Sequence, residues 1–232
     1  MAYPNSAGVA FPSDYDGLVK ESLQVTGDSM EYYARERIRD TRRQLQAFDT
    51  TSILDYGCGN GLGTALLCEA FPEASRVLGV DISGALVERA HKRCSGSIAS
   101  FEVLNAGGRP PNDDFDLVYC NGVFHHIPAD DRFEAAACML RALRVGGRLS
   151  FWENNPLNPG TRWVMSRNPS DRDAELLTPW SSTRLLRSVG FAICGVRSRF
   201  YFPRWLRWLR PAERVLSAAA LGGQYQIVAE RP

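Results

Sequence analysis

Lysine is nearly absent from this chain, whose 232 residues include 25 arginines but only 2 lysines. That imbalance suggests the coding habit of a GC-rich bacterial genome and says little about chemistry. A large charge of one sign is also missing, since 26 acids leave a formal net charge of +1. A dedicated nucleic-acid binder carries a strong basic excess, so no nucleic-acid partner is expected. No stretch of about 20 uninterrupted apolar residues occurs, which excludes a membrane-spanning helix. The opening MAYPNSAGVAFPSDYDG has no basic region followed by an apolar one, so no secretory leader is expected and the cytoplasm is the expected location. Six cysteines (Cys58, Cys68, Cys94, Cys120, Cys138 and Cys194) stand singly, without a CxxC pair for a zinc cage or a thioredoxin-type motif. Histidine is scarce too, at 3 residues. Beyond the pair His125–His126 with Glu153, no group of acids and histidines has ligand-like spacing, and no metal is expected.

What is present reads as a folded globule, with 44% apolar and 23% charged residues. At roughly 150 residues per domain the length allows one full α/β domain or two small ones. Residues 1–27, rich in Pro, Gly, Ser and Asp, read as an irregular arm, and Asp28–Phe48 has the pattern of a charged helix. A regular alternation follows. SILDYG, RVLGVDI, IASFEVLNA, FDLVYCNG and RLSFWEN read as strands, and GTALLCEAF, SGALVERAHKRC and RFEAAACMLRALRVGG as helices. Ser83 is the expected cap of the second of these, and the third is expected to end at Gly146–Gly147. Short strands alternating with helices mean βαβ units and a parallel sheet. The segment after Asn155 reads mainly as loop until a helix at Pro179–Val189, capped by Thr178. FAICGVRSRF and GGQYQIVAE complete seven strands. The expectation is one domain over 28–232, with cap elements at about 154–178 and 200–221.

The strongest local signal is ILDYGCGNG at 53–61, an apolar strand running into Asp55 and then into alternating Gly57, Gly59 and Gly61. Glycines at a strand-to-helix turn let the backbone bend sharply and approach a ligand, and the helix N-terminus offers free N–H groups. The nicotinamide pattern G-x-G-x-x-G needs glycine where Leu62 stands, and no Gly-Lys-Ser/Thr occurs, so neither that fingerprint nor a Walker loop is written here. The next strand ends in Asp81, and an ionised carboxylate at that edge suits a ribose diol, since it accepts from both hydroxyls. Against this stands a plain capping role for Asp81, which Ser83 fits better.

These motifs, taken in order, resemble the class I S-adenosylmethionine-dependent methyltransferases. ILDYGCGNG is similar to the family's first motif, LGVDIS to its acidic second, FEVLNA to its third and FDLVYCNGVFHHI to its fourth. The resemblance implies a Rossmann-like three-layer α/β sandwich, a seven-stranded, mostly parallel sheet with its last strand antiparallel. It implies S-adenosylmethionine as cofactor, with S-adenosylhomocysteine as product. The loop Asp55–Gly61, including Cys58, would hold its methionine part, and Asp81, with Ile82 beside it, the ribose. Asn105 and Ala106 would border the adenine, Asn105 standing where the family often has aspartate. Asn121 would lie beside the sulfonium, and Tyr33 and Arg37 on the first helix would help close the site.

The cofactor is already activated, so the protein mainly holds two reactants in line, but an alcohol nucleophile also needs a base. Two of the three histidines, His125 and His126, follow the fourth strand directly, and Glu153 ends the fifth strand at the same sheet edge. A carboxylate there can orient an imidazole and stabilise its charged form. The arrangement is similar to that of sugar O-methyltransferases of the rebeccamycin type. The plain alternative is that the histidines fill space at the start of a helix.

Two further segments stand out. RSRFYFPRWLRWLRPAERVL mixes arginine with tryptophan, phenylalanine and tyrosine. It suits a substrate cap, a membrane interface with peripheral contact, or a homodimer contact, and equally a helix packing its apolar side on the sheet. ENNPLNPGTRW at 153–163 offers amides for hydroxyls and Arg162 for an anionic group, although Asn-Pro pairs also simply start turns. The expected function is methyl transfer to a small-molecule acceptor, a hydroxyl oxygen of a sugar, lipid-linked or natural-product substrate. The alternatives are carbon methylation of a quinone or polyketide precursor, and a non-catalytic cofactor-binding scaffold.

Overall fold

The computed structural model describes residues 26–104, 114–167, 171 and 174–232. Asn105, Ala106 and all of the N-terminal arm except Thr26 and Gly27 lie outside the described residues. The first helix, α1 (Met30–Gln44), starts where the Ser29 hydroxyl accepts the Tyr32 amide at 3.1 Å. Then come β1 (Ser52–Tyr56), α2 (Leu62–Ala70), β2 (Arg76–Asp81), α3 (Gly84–Arg93), β3 (Ala99–Val103) and β4 (Phe115–Asn121). A single turn of 3-10 helix, Phe124–His126, leads towards α4 (Arg132–Ala142) and the long β5 (Leu143–Asn154). The chain continues through α5 (Pro159–Ser166), α6 (Pro179–Val189), β6 (Ala192–Arg199), a 3-10 segment Arg204–Ala212, α7 (Glu213–Leu216) and β7 (Gln224–Glu230).

The strands form one seven-stranded sheet in the order β3-β2-β1-β4-β5-β7-β6. β1 to β5 pair in parallel, and β7 inserts antiparallel between β5 and β6. Successive strand residues point to opposite faces, and both faces are covered. Leu54, Val118 and Phe151 join a core with Ala135 and Met139 of α4 and Leu186 of α6. Their neighbours Ile53, Leu117 and Trp152 join a second core with Ile38 of α1 and Leu67 of α2. The three-layer architecture is the one the motifs imply. The chain leaves β1 towards β2 and β3, then returns to β4 on the other side. The crevice above the carboxyl ends of β1 and β4 is therefore the switch point at which open α/β sheets bind ligands.

Two local expectations are corrected. The helix at 132–147 stops at Ala142, and Gly146–Gly147 belong to β5 rather than to a helix end. β5 opens with a bulge: Leu143 pairs with Phe115, and the next pair is Arg148 with Leu117. An added Cβ at Gly147 would sit 2.8 Å from the Arg144 carbonyl and 3.0 Å from that of Phe115, so glycine serves close backbone approach. The Arg144 side chain donates to Asp116 at 2.6 Å across this bulge. The second correction concerns the stretch after Asn155, which contains α5. Asn158 accepts the Thr161 amide at 3.0 Å and Pro159 takes the first helical position, so this Asn-Pro pair starts a helix. The Ser83 and Thr178 caps are formed as expected.

Candidate functional site

Strand register sets the site. Tyr56 pairs with both Val80 and Cys120, so the next residues, Gly57, Asp81 and Asn121, reach the carboxyl edge together. Asn121 in turn pairs with Trp152, which puts Glu153 one step further along that edge. Gly57, Gly59 and Gly61 have φ of 79°, 53° and 79°, left-handed values that favour glycine. Their surroundings differ. A Cβ at Gly57 would lie 2.2 Å from Val123 Cγ2, and one at Gly61 would lie 2.9 Å from Ala90, whereas one at Gly59 meets nothing within 4 Å. Packing accounts for two of the glycines, and the third faces open space where a ligand can lie against backbone. Gly57→Ala is therefore expected to cost about 2–5 kcal/mol of stability through overpacking and strain. Gly59→Ala is expected to cost about 1–2 kcal/mol through φ alone. Thermal unfolding of the two variants side by side checks this, and equal losses would contradict it.

Asp81 ties the loop to the next strand. Its Oδ2 accepts the Gly59 amide and its Oδ1 the Ser83 amide, both at 2.9 Å. Each oxygen keeps a further lone pair for a hydroxyl donor. Burial pushes its pKa up, and the amides of Ser83, Gly59 and Ile82 pull it back in part. The carboxylate is thus short of solvation and would gain from two hydroxyls. Ile82, 61% exposed, offers an apolar surface beside it. Asp55 is buried under α2 and accepts the Thr64 hydroxyl at 2.6 Å. Burial raises it to about 7, with Asp81 adding a smaller push. Cys58 is buried, and its thiol is raised by burial first and the two aspartates second, so it stays neutral and unreactive.

Alternation along β5 turns Trp152 towards α1, where its indole donates to Thr41 at 3.2 Å, and Glu153 towards the other face. There Glu153 accepts the Phe124 amide at 2.7 Å and the His125 Nδ1–H at 2.6 Å. Glu153 is 1% exposed and His125 is 4% exposed. With Nδ1 given to the carboxylate, Nε2 is the working nitrogen. Burial pulls the His125 pKa down, but the charge and hydrogen bond of Glu153, with Asp171, outweigh it and raise the group. His126 goes the opposite way, to about 4, through burial and the neighbouring His125, and is neutral near pH 7. Asp171, between α5 and α6, places Oδ1 3.8 Å from His125 Nε2 and 3.7 Å from His126 Nε2. These three side chains have ligand atoms within 4.8 Å of one another and are of the types that hold divalent cations. Nothing marks Asp171 in the sequence, where it lies in a charged run that reads as solvated loop.

A cavity of ≈ 480 Å³ opens beside this pair, within the size range of small-molecule sites. His125, Asp171, Asn121 and Gly122 form its floor, and Tyr33 and Arg37 of α1 one wall. The two segments expected to cap the sheet add Thr161, Trp163 and Met165 from one and Tyr201, Phe202 and Trp205 from the other, and Thr26, Met30, Gly223 and Gln224 also line the cavity. Arg37 donates to Gln224 Oε1 at 2.9 Å, and Gln224 donates to Asn154 Oδ1 at 2.9 Å. This polar ladder on β5 and β7 was not singled out in the sequence. Tyr33 stands edge-on to Phe200, with ring centres 4.9 Å apart. The structure thus gathers Tyr33, Arg37, Asn121, His125 and Asp171 at one cavity, with Glu153 buried behind His125. The loop Asp55–Gly61, Asp81 and Ile82 lie along the same sheet edge.

Comparison with known proteins agrees with this geometry. The family described as "Methyltransferase domain" matches residues 53–147. A trans-aconitate 2-methyltransferase from Azoarcus sp. is 32% identical over 158 residues, covering 65% of this chain and 60% of that protein. The chain spans 60%, 57% and 51% of the lengths of three such relatives. Among solved structures, an S-adenosylmethionine-dependent methyltransferase from Mesorhizobium loti is similar with a TM-score of 0.61 and 21% identity, over 82% of this chain and 96% of that one. The cyclase SpnF is similar with a TM-score of 0.68 and 18% identity, over 100% and 98% of the two chains. Residues 53–147 thus match a methyltransferase domain, and the chain shares the fold of solved S-adenosylmethionine-dependent methyltransferases.

Proposed function

We propose that the chain transfers a methyl group from S-adenosylmethionine to an oxygen of a small-molecule acceptor, a hydroxyl of a sugar, lipid-linked or natural-product substrate. The observation that carries this reading is the buried His125–Glu153 pair at the cavity floor, a base with its orienting carboxylate. When bound, the cofactor supplies a methyl already activated on a sulfonium. The open Gly59 and the under-solvated Asp81 fit its backbone and ribose contacts, with Ile82 against the adenine. Asp55, Gly57, Cys58 and Gly61 shape the loop, and Asn121, Tyr33 and Arg37 border the methionine end. Asn105 and Ala106 complete the adenine side in this reading.

In the transfer step His125 Nε2 takes the acceptor's hydroxyl proton as the oxygen attacks, and Glu153 stabilises the imidazolium that forms. Asp171 lines the cavity and orients the acceptor, with the neutral His126 beside it but outside the lining. The cavity walls exclude water and hold the hydroxyl in line, which is the larger part of the rate enhancement. No metal enters this mechanism, so a chelator is expected to leave turnover unchanged. Chelator inhibition reversed by a divalent cation would instead assign His125, His126 and Asp171 as a metal site.

The test is release of S-adenosylhomocysteine on incubation with sugars, phenols and quinone precursors, with the methylated product located by mass spectrometry. Methylation at carbon would replace the oxygen reading. A second reading, a cofactor-binding protein that moves no methyl group, draws on the likeness to the cyclase SpnF over the full chain. Cofactor binding with product formation but no S-adenosylhomocysteine release would favour it.

A further inference from the structure

The cavity is rimmed by tryptophan and arginine from two separate elements. On α5, Trp163 is 42% exposed with the Arg167 guanidinium 4.1 Å above its ring, and Arg162 beside it is exposed. Across the opening, Trp205 and Trp208 are 70% and 71% exposed, and Val215 and Leu221 beyond them are 85% and 60% exposed. Arg204, Arg207 and Arg214 are exposed among these apolar side chains. Trp163 and Trp205 both line the cavity, so its mouth opens within this surface.

The outward direction of the tryptophans is built in. Glu213, 4% exposed, accepts the amides of Phe200, Tyr201 and Phe202 at 3.2, 3.1 and 3.2 Å. Arg210 pairs with Asp28 and lies 4.6 Å over the Tyr32 ring. The acid of the segment is thereby consumed internally and one arginine is turned inward to α1. Among the described residues, none of Arg162, Arg204, Arg207 and Arg214 pairs with an acid. What remains outside is apolar and cationic.

We propose that this rim docks on an anionic lipid surface, with the tryptophans at headgroup depth and the arginines on lipid phosphates. Tryptophan and arginine are the side chains that settle at that boundary, one end apolar and the other wet. A second copy of the chain fits less well, because a two-fold contact sets the same patch against itself and would face arginine with arginine. If the methyl-transfer reading also holds, the acceptor is carried in the bilayer and enters the cavity from below. The docking itself is independent of that reading.

The test uses the full chain with vesicles of phosphatidylcholine, with and without phosphatidylglycerol, read by co-sedimentation and tryptophan fluorescence. Binding is expected only with the anionic lipid, weakening as salt is raised. Arg207→Gln with Arg214→Gln should weaken it roughly thirtyfold, at about one kcal/mol per arginine. Trp208→Ser should reduce the blue shift, and Trp208→Ser combined with Trp205→Ser should remove most of it. Neither the arginine variant nor Trp208→Ser alone touches the cavity, so S-adenosylhomocysteine binding, measured on both, confirms that they are folded. Failure to bind either vesicle overturns the proposal. A dimer that forms in sedimentation equilibrium and is lost with Trp208→Ser, without vesicle binding, overturns it and assigns the face to a second copy. Because no turnover is measured, a failed methyltransferase assay leaves this result standing.

Discussion

Asp81→Ala is expected to weaken binding of S-adenosylhomocysteine by at least about a hundredfold, measured by calorimetric titration. Two hydrogen bonds from a ribose diol to a charged acceptor are together worth about 3–6 kcal/mol, and tenfold in affinity is about 1.4 kcal/mol. The same side chain holds the Gly59 amide, so its removal also frees the loop against which the cofactor is proposed to lie. Asp81→Asn separates the two contributions. An amide keeps one acceptor for the loop but gives up the charge and one diol acceptor, so an intermediate loss of about tenfold is expected. Equal losses in the two variants would mean that charge alone matters. Unchanged affinity in the alanine variant would remove Asp81 from the cofactor site.

The half of the candidate site proposed for the cofactor is legible in the sequence because it is local. Asp55 to Gly61 is one continuous turn, and Asp81 ends the strand that pairs beside it, so parallel register alone brings the two together. His125 and Glu153 were legible for the same reason, since each follows or ends a strand at the same edge. Sequence spacing could not reveal the partners that arrive over long loops. Asp171 reaches the histidines from the connection between α5 and α6, and Gln224 reaches Arg37 through β7, whose place between β5 and β6 is a matter of tertiary packing. The misplaced helix end has a similar origin. Gly146–Gly147 looks like a helix stop, but Gly147 is constrained by the carbonyl of Phe115 on another strand as well as by that of Arg144. The aromatic and arginine segment kept several readings open in the sequence because its periodicity fits a buried face as well as an exposed one. The internal use of Glu213 and Arg210 decides which side chains point out.

Glu153→Gln is expected to lower kcat by about a hundredfold to ten-thousandfold, with S-adenosylhomocysteine affinity within about threefold of wild type. The direction of the pH effect distinguishes an orienting carboxylate from a merely structural one. In the wild type, burial lowers His125, but Glu153 and Asp171 raise it above the ordinary histidine value. The base is then free only above about pH 6.5, and the ascending limb of kcat/KM lies there. With the carboxylate replaced by an amide, burial persists and most of the attraction is gone. The limb should move to lower pH while the plateau falls. Stability follows the same signs. His125, with a raised pKa, contributes stability that is full below its unfolded value and lost as pH rises through its folded one. Burial pushes Glu153 up, but His125 and the Phe124 amide hold it below the ordinary value. Its contribution is therefore present above about pH 4.3 and lost as pH falls through its folded pKa. Wild type should weaken at both ends, and the variant should lose that dependence. Breaking a buried pair costs about 3–5 kcal/mol, so Glu153→Asp serves if the amide variant fails to fold. Aspartate keeps the charge with a shorter reach, and an intermediate kcat with the limb still raised is expected. A limb that stays in place in the glutamine variant, or a kcat that does not fall, would show that His125 acts without Glu153 or is not the base.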